Sequence, residues 1–191
     1  SKVIPVVVHV IHNYGEENIS DAQVQSAIDQ LNDKFSAADV DPNEIASAFR
    51  DIIADTEIEF RLAKLDPEGN CTNGITHTAS TLTYSATDAA KDVIGWPRDM
   101  YLNIWVVNSL ESSFQVNYAY WPGTEPSAAY DGILYRHSNF GTIGTSTGSI
   151  SPAYVTGVYL NLLPVWGNNE SSCADDDEVA DTPTTQGHSF D

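Results

Sequence analysis

Basic residues are scarce in this chain. Eight lysines and arginines stand against 27 aspartates and glutamates, a formal net charge of −19. Such a surface repels nucleic acid and anionic lipid, so neither is an expected partner. Long apolar runs are missing as well. The longest, residues 4–11, is strand-sized and interrupted by His9, far short of the ~20 residues a membrane-spanning helix needs. No signal peptide is read at the start, where Ser1 and Lys2 lead straight into that run. There is one methionine, Met100, and there are two cysteines, Cys71 and Cys173. Neither cysteine has a zinc-ligand partner at knuckle spacing, which excludes that kind of site. An even count in a secreted domain favours one Cys71–Cys173 disulfide, whose long loop is worth on the order of 4–5 kcal/mol in the chain-entropy picture. The alternative is two lone thiols whose partners lie outside this chain.

What is present suits one folded domain. The 191 residues are 41% hydrophobic and include four tryptophans, nine tyrosines and six phenylalanines. That is enough for one sizeable core and too little for two comfortable ones. Residues 3–11 are β-branched and almost wholly apolar, which predicts a strand buried on both faces. Ser20, with Gln23 three residues on, has the spacing of a capping box. Val24, Ile28, Leu31 and Phe35 then form the stripe of a helix laid against a sheet.

Asp41-Pro42 breaks the chain, and Ile45, Phe49, Ile52 and Ile53 predict a shorter amphipathic segment. Residues 58–65 alternate as a strand, 66–78 read as a loop rich in Gly, Asn and Thr, and 100–107 form another apolar strand. The aromatic run 118–122 predicts an extended edge segment, because Pro122 cannot sit in a central strand. Residues 131–136 suggest one more short strand. After a stretch of Gly, Ser and Thr, Ser151 can cap and Pro152 can open a late helix. Its apolar residues run from Ala153 to Leu163, and Pro164 ends it.

Several segments, in order, resemble the pappalysin family of metzincin zinc peptidases. They are Ile4 to His12, Gln23 to Phe35 with Leu31-Asn32, Asp55 to Ala63, Asp66-Pro67 with Gly74-Ile75, and Tyr101 to Val106. The succession continues with Tyr118 to Pro122, Asp131-Gly132, Phe140 to Gly144, Trp166-Gly167, Cys173 to Val179, and Asp181-Thr182-Pro183. The resemblance spans nearly the whole chain. It implies an α+β, zincin/metzincin-like fold: a mixed twisted sheet, a backing helix and a former active-site helix. It also implies a secreted protein forming one domain over residues 1–191. The family's methionine turn downstream of the metal helix has no counterpart here, since Met100 lies far upstream, so the lower C-terminal subdomain is expected to be missing, either because these residues are part of a longer chain or because the lineage has lost it. In the family the counterpart of Cys173 can pair with a cysteine further on.

The family's metal motif is H-E-x-x-H-x-x-G/N-x-x-H. Two histidines one turn apart and a third beyond a tight turn hold zinc, and the glutamate is the general base for zinc-bound water. Tyr159 to Leu162 and Trp166-Gly167 fix the register. Tyr154 then stands at the first histidine, Val155 at the glutamate, Val158 at the second histidine and Pro164 at the third, while Asn161 keeps the turn. Neither valine carries a donor atom, Pro164 offers only its carbonyl, and a lone phenol cannot hold zinc against water. No zinc is therefore expected. The five histidines, His9, His12, His77, His137 and His188, include no helical pair one turn apart.

Two resources remain. The loop of Asp175, Asp176, Asp177, Asp181 and Thr182 offers hard oxygen ligands of the kind calcium takes, and active relatives carry calcium in this region. The aromatics Tyr118, Tyr120 and Trp121 are candidates to line what was the substrate cleft, where a peptide, protein or glycan would bind. Asn70-Cys71-Thr72 and Asn169-Glu170-Ser171 fit a glycosylation sequon. The expectation is a catalytically inactive pappalysin-like pseudopeptidase, secreted, acting as a binding or structural module. The alternative is an active zinc metalloendopeptidase with a non-standard or engineered-out metal site.

Overall fold

The computed structural model describes residues 1–147, 152–169, 171 and 173–187. The apolar opening run forms the central strand β1 (Lys2–His12), buried without interruption from Val6 onward. Its first half pairs in parallel with β2 (Ile58–Leu62) and its second half with β3 (Ile75–Ala79). Both lie on one side, because β4 (Leu102–Val107) runs parallel along residues 6–10 on the other. Beyond β4 comes parallel β6 (Ile133–Arg136), and the antiparallel β5 (Asn117–Ala119) ends the sheet in the order β2-β1-β4-β6-β5. The predicted aromatic segment is thus an edge strand, with Pro122 beyond its end.

Helix α1 (Asp21–Phe35) forms as its stripe predicts: Val24, Ala27, Ile28, Leu31 and Phe35 are buried. They share one cluster with the sheet residues Val6, Val8, Phe60 and Ile104, and with Val155 of α3 (Ala153–Tyr159). Ser20 accepts a hydrogen bond from Gln23 N at 3.2 Å. The capping box is only half made, however, because the Gln23 side chain turns inward. Its Nε2 donates to His137 O at 3.1 Å and Phe140 O at 2.9 Å, and its Oε1 accepts from Thr145 N at 3.0 Å. Gly141 and Gly144 have positive φ, and a Cβ at either would collide with Gln23. The Phe140–Gly144 segment is therefore a clasp around one buried amide.

Two expectations fail. The second amphipathic segment is a single turn, α2 (Ser47–Arg50), with no buried residue. One turn fixes too many dihedrals for its hydrogen bonds to persist without packing; Phe49 lies half-buried in that turn, and Ile45, Ile52 and Ile53 lie half-buried in irregular chain around it. The stretch read as a loop over 66–78 contains β3. Its polar Thr-His-Thr sequence carries no apolar signal, and the strand exists because β1 supplies the ladder.

Candidate functional site

Helix α3 is shorter than its apolar run. Pro152 occupies the N-cap with no side-chain bond, and Ser151 lies outside the described residues. Asn161 sits at φ +71°. Leu162 N donates to Gly157 O and Asn161 N to Val158 O, both at 2.9 Å, the paired bonds that close a helix through a left-handed residue. The turn position of the resemblance is thus a left-handed helix terminus. It stops α3 at Tyr159, ahead of Leu160 to Leu163.

The four motif positions separate into two environments. Val155 is 4% exposed and belongs to the main core cluster. Tyr154 is 60% exposed, and Tyr154, Val158 and Pro164 line one groove of about 330 Å³ with Leu162 and Trp166. Of these four positions, Val155 is the one in the core cluster. Tyr154 and Val158, one turn apart, share the outward face of α3, and the left-handed turn at Asn161 folds Leu162 back beside them. Leu162 reaches the groove through the helix-closing turn, a feature that helical periodicity does not signal. Zinc does not fit this donor set: the groove is walled by aliphatic carbon, a proline ring, an indole and one phenol. Among the described residues, no three His, Cys, Asp or Glu side chains are placed to share a metal.

One polar thread ties α3 to the sheet. Tyr159 hydrogen-bonds Asp131, and its hydroxyl is pushed up to about 12 by burial and that carboxylate. Burial raises Asp131 in turn, against the pull of Arg98, whose guanidinium lies 3.6 Å from Asp131 and 2.6 Å from Glu125.

The candidate cleft aromatics do not line the α3 groove. Tyr118 and Tyr120 both donate to the Asp88 carboxylate. Beside them the Lys91 ammonium, with no exposed side chain, ion-pairs Asp88 at 3.3 Å and donates to Tyr130 O at 2.8 Å. It also lies over the rings of Trp105, Tyr118 and Tyr120. The two tyrosines thus close a buried charge cluster, and alternation along β5 carries them to the face away from Ala119, which packs against the core shared with α3. Trp121 is half-buried and does not line the α3 groove.

The acidic loop folds onto itself. Asp175 accepts from Asn168 N and Asp176 N, Asp176 from Glu178 N, and Asp177 from Val179 N. Asp181 is exposed and Thr182 half-buried. The oxygen chemistry fits a hard cation, but these carboxylates are turned toward their own backbone. The loop also abuts the groove wall, since a Cβ on Gly167 would meet the Asp175 side chain and the Asp176 backbone.

The expected Cys71–Cys173 disulfide is not formed: both thiols are free and exposed. Cys71 is held against Leu65 by an isolated bridge in the turn after β2, whereas Cys173 belongs to the loop after α3. In the sequons, Asn70 donates to Asp66 in that same turn, Asn169 accepts from Ser171 N, and Glu170 lies outside the described residues. Of the histidines, His9 is buried between Thr76 and Asn103. His12 packs on Tyr14 and His77, and His137 contacts Thr145. His188 lies outside the described residues.

No family model matches the chain, and no curated protein matches it. Solved structures do. The fold is similar to mature mirolysin of Tannerella forsythia in complex with a cleaved peptide, with a TM-score of 0.84 and 34% identity over 99% of this chain and 74% of that one. A promirolysin point mutant from the same organism gives a TM-score of 0.84 at 34% identity, over 99% of this chain and 65% of that one. Mirolysin bound to a small compound gives 0.82 at 34% identity, over 99% and 74%. The architecture is that of a metallopeptidase. The chain belongs to the mirolysin family of metzincin-like, pappalysin-like zincins.

Proposed function

We propose that this chain is a non-hydrolysing member of its family, a secreted module that keeps the peptidase fold for binding a peptide or protein segment. One observation carries the reading: the positions that would hold zinc and the general base are Tyr154, Val158, Pro164 and Val155, three in an apolar groove and one in the core. A peptide ligand is favoured because mirolysin is found with a cleaved peptide. The outer backbone of β5 also supports it. Tyr118 faces β6 in the ladder, so the amide groups of Asn117 and Ala119 point away from it.

The test is metal content by mass spectrometry together with hydrolysis of casein or gelatin. The expected result is substoichiometric zinc and no cleavage. Stoichiometric zinc with chelator-sensitive cleavage would overturn the reading in favour of an active peptidase with another metal site. The Asp175–Thr182 loop is proposed to take calcium. Millimolar calcium should then raise the melting temperature by mass action, and an unchanged midpoint removes that assignment.

A further inference from the structure

The sheet has two outer edges, and they are finished differently. Along β2, the backbone groups of Glu57 and Ala63 turn inward, since Lys2 N donates to Glu57 O and Ala63 N to Val6 O. By the alternation of a parallel ladder, Ile58, Phe60, Leu62 and Lys64 present theirs outward. A row of this kind is a template for adding another strand, and native proteins cover or interrupt it.

Here the cover comes from α1. Asn32, in the last turn of the helix, reaches around the edge. Its Nδ2 donates to Phe60 O at 2.9 Å and its Oδ1 accepts from Phe60 N at 2.8 Å. The side-chain amide thus makes the two bonds that a neighbouring strand would make to the same residue. Flanking polar groups continue the cover. Thr56 Oγ1 accepts from Ile58 N at 3.3 Å, and Thr72 N donates to Lys64 O at 3.1 Å. Further along the same side of β1, Asn73 Oδ1 accepts from Ile75 N at 3.2 Å, at the start of β3. At β5, by contrast, no side chain among the described residues makes such a pair of bonds to Asn117 or Ala119.

We infer that Asn32 is an edge guard: its amide stands in for a pairing strand on β2 and prevents that edge from joining the β2 edge of a second copy of this chain. The guard is needed because the edge lies over core side chains. Phe60 is 1% exposed and packs against Phe35 of α1, so the chain cannot protect β2 by placing a charge at Phe60. The inference does not depend on what the α3 groove binds.

Amide hydrogen exchange and sedimentation test it. In the unaltered chain, the Phe60 N–H should exchange at least ~10-fold more slowly than the Leu62 N–H. Leu62 is the next outward residue on the same edge and has no such partner among the described residues. Asn32→Ala should erase that difference and produce concentration-dependent dimers or larger species. Asn32→Asp keeps the acceptor for Phe60 N and places a charge on the edge, so it should remain monomeric and keep most of the Phe60 protection. Equal exchange at Phe60 and Leu62 in the unaltered chain overturns the proposal, even if Asn32→Ala does not fold. A folded Asn32→Ala that stays monomeric at all concentrations also overturns it.

Discussion

Helices α1 and α3 contribute to one hydrophobic cluster, yet they are held in opposite ways. Helix α1 has fifteen residues, a serine N-cap and a fully buried stripe, and two of its polar side chains reach into the rest of the chain. Gln23 clasps the Phe140–Gly144 segment, and Asn32 closes β2. Helix α3 has seven residues, no side-chain cap and one buried aliphatic side chain, and its outward face is apolar. The residues of α1 serve the architecture and remain a coherent set. Those of α3 that face outward present carbon to the solvent, along a groove lined by Tyr154, Val158 and Leu162. The sheet and α1 therefore carry most of the main cluster, to which α3 adds one buried aliphatic side chain.

The largest test of this asymmetry is packing. Leu31 is 1% exposed in the main cluster, and Leu31→Ala should destabilise by about 3–5 kcal/mol through lost burial and the cavity left behind. Val158→Ala on α3 removes groove wall and should change stability by less than ~1 kcal/mol. Urea denaturation measures both. If the two substitutions cost the same, α3 is as integral to the core as α1 and the comparison fails.

The second test uses pH. His9 on β1 is fully buried between Thr76 and Asn103 and beside Trp96 and Trp105. Burial lowers it from 6.5 to about 4, with the Asn103 bond opposing. The unfolded chain therefore takes up this proton first as pH falls. The stabilisation is complete above pH 6.5, is lost between 6.5 and about 4, and amounts to roughly 3 kcal/mol across that window. His9→Gln should flatten the acid limb of a urea-midpoint profile over the same range. Helix α3 carries no side chain that titrates there. An unchanged slope in His9→Gln would shift the acid sensitivity elsewhere in the molecule.

These expectations also show which features could be read from the sequence. Strand β1 and helix α1 announce themselves because their burial is periodic and local, and the chain's β-branched run and 4-3-4 stripe match the observed core. The family segments were readable as strings, but their roles were not. Phe140 to Gly144 matters because Gln23, more than a hundred residues earlier, needs carbonyls and a Cβ-free space beside it. Strand β3 was invisible because its pairing lies in β1 and its own residues are polar. The partnership of Tyr118 and Tyr120 with Asp88 and Lys91 has no local signal, because those residues are distant in sequence. The positions that the resemblance assigns to the metal motif, Tyr154, Val155, Val158 and Pro164, differ in surroundings. Their split between groove and core followed from the face of α3 each occupies, which depends on where Asn161 ends the helix.

That helix end supplies the smallest and most specific test. Asn161 holds φ +71°, a conformation that penalises most side chains by about 1–2 kcal/mol while Gly and Asn tolerate it. Asn161→Ala should lower stability by about 1 kcal/mol, and Asn161→Gly should leave it within ~0.5 kcal/mol of the unaltered chain. In a peptidase this turn would also aim a third metal ligand, so its geometry would matter beyond its energy. Here the turn ends α3 and brings Leu162 and Pro164 to the groove. Asn161→Gly should thus match the unaltered chain in thermal unfolding and in binding of an apolar fluorescent dye to the groove. If stability is kept and dye binding is lost, the Asn161 side chain does more than permit the turn. The outward face of α3 would then be organised by a polar contact rather than by shape alone.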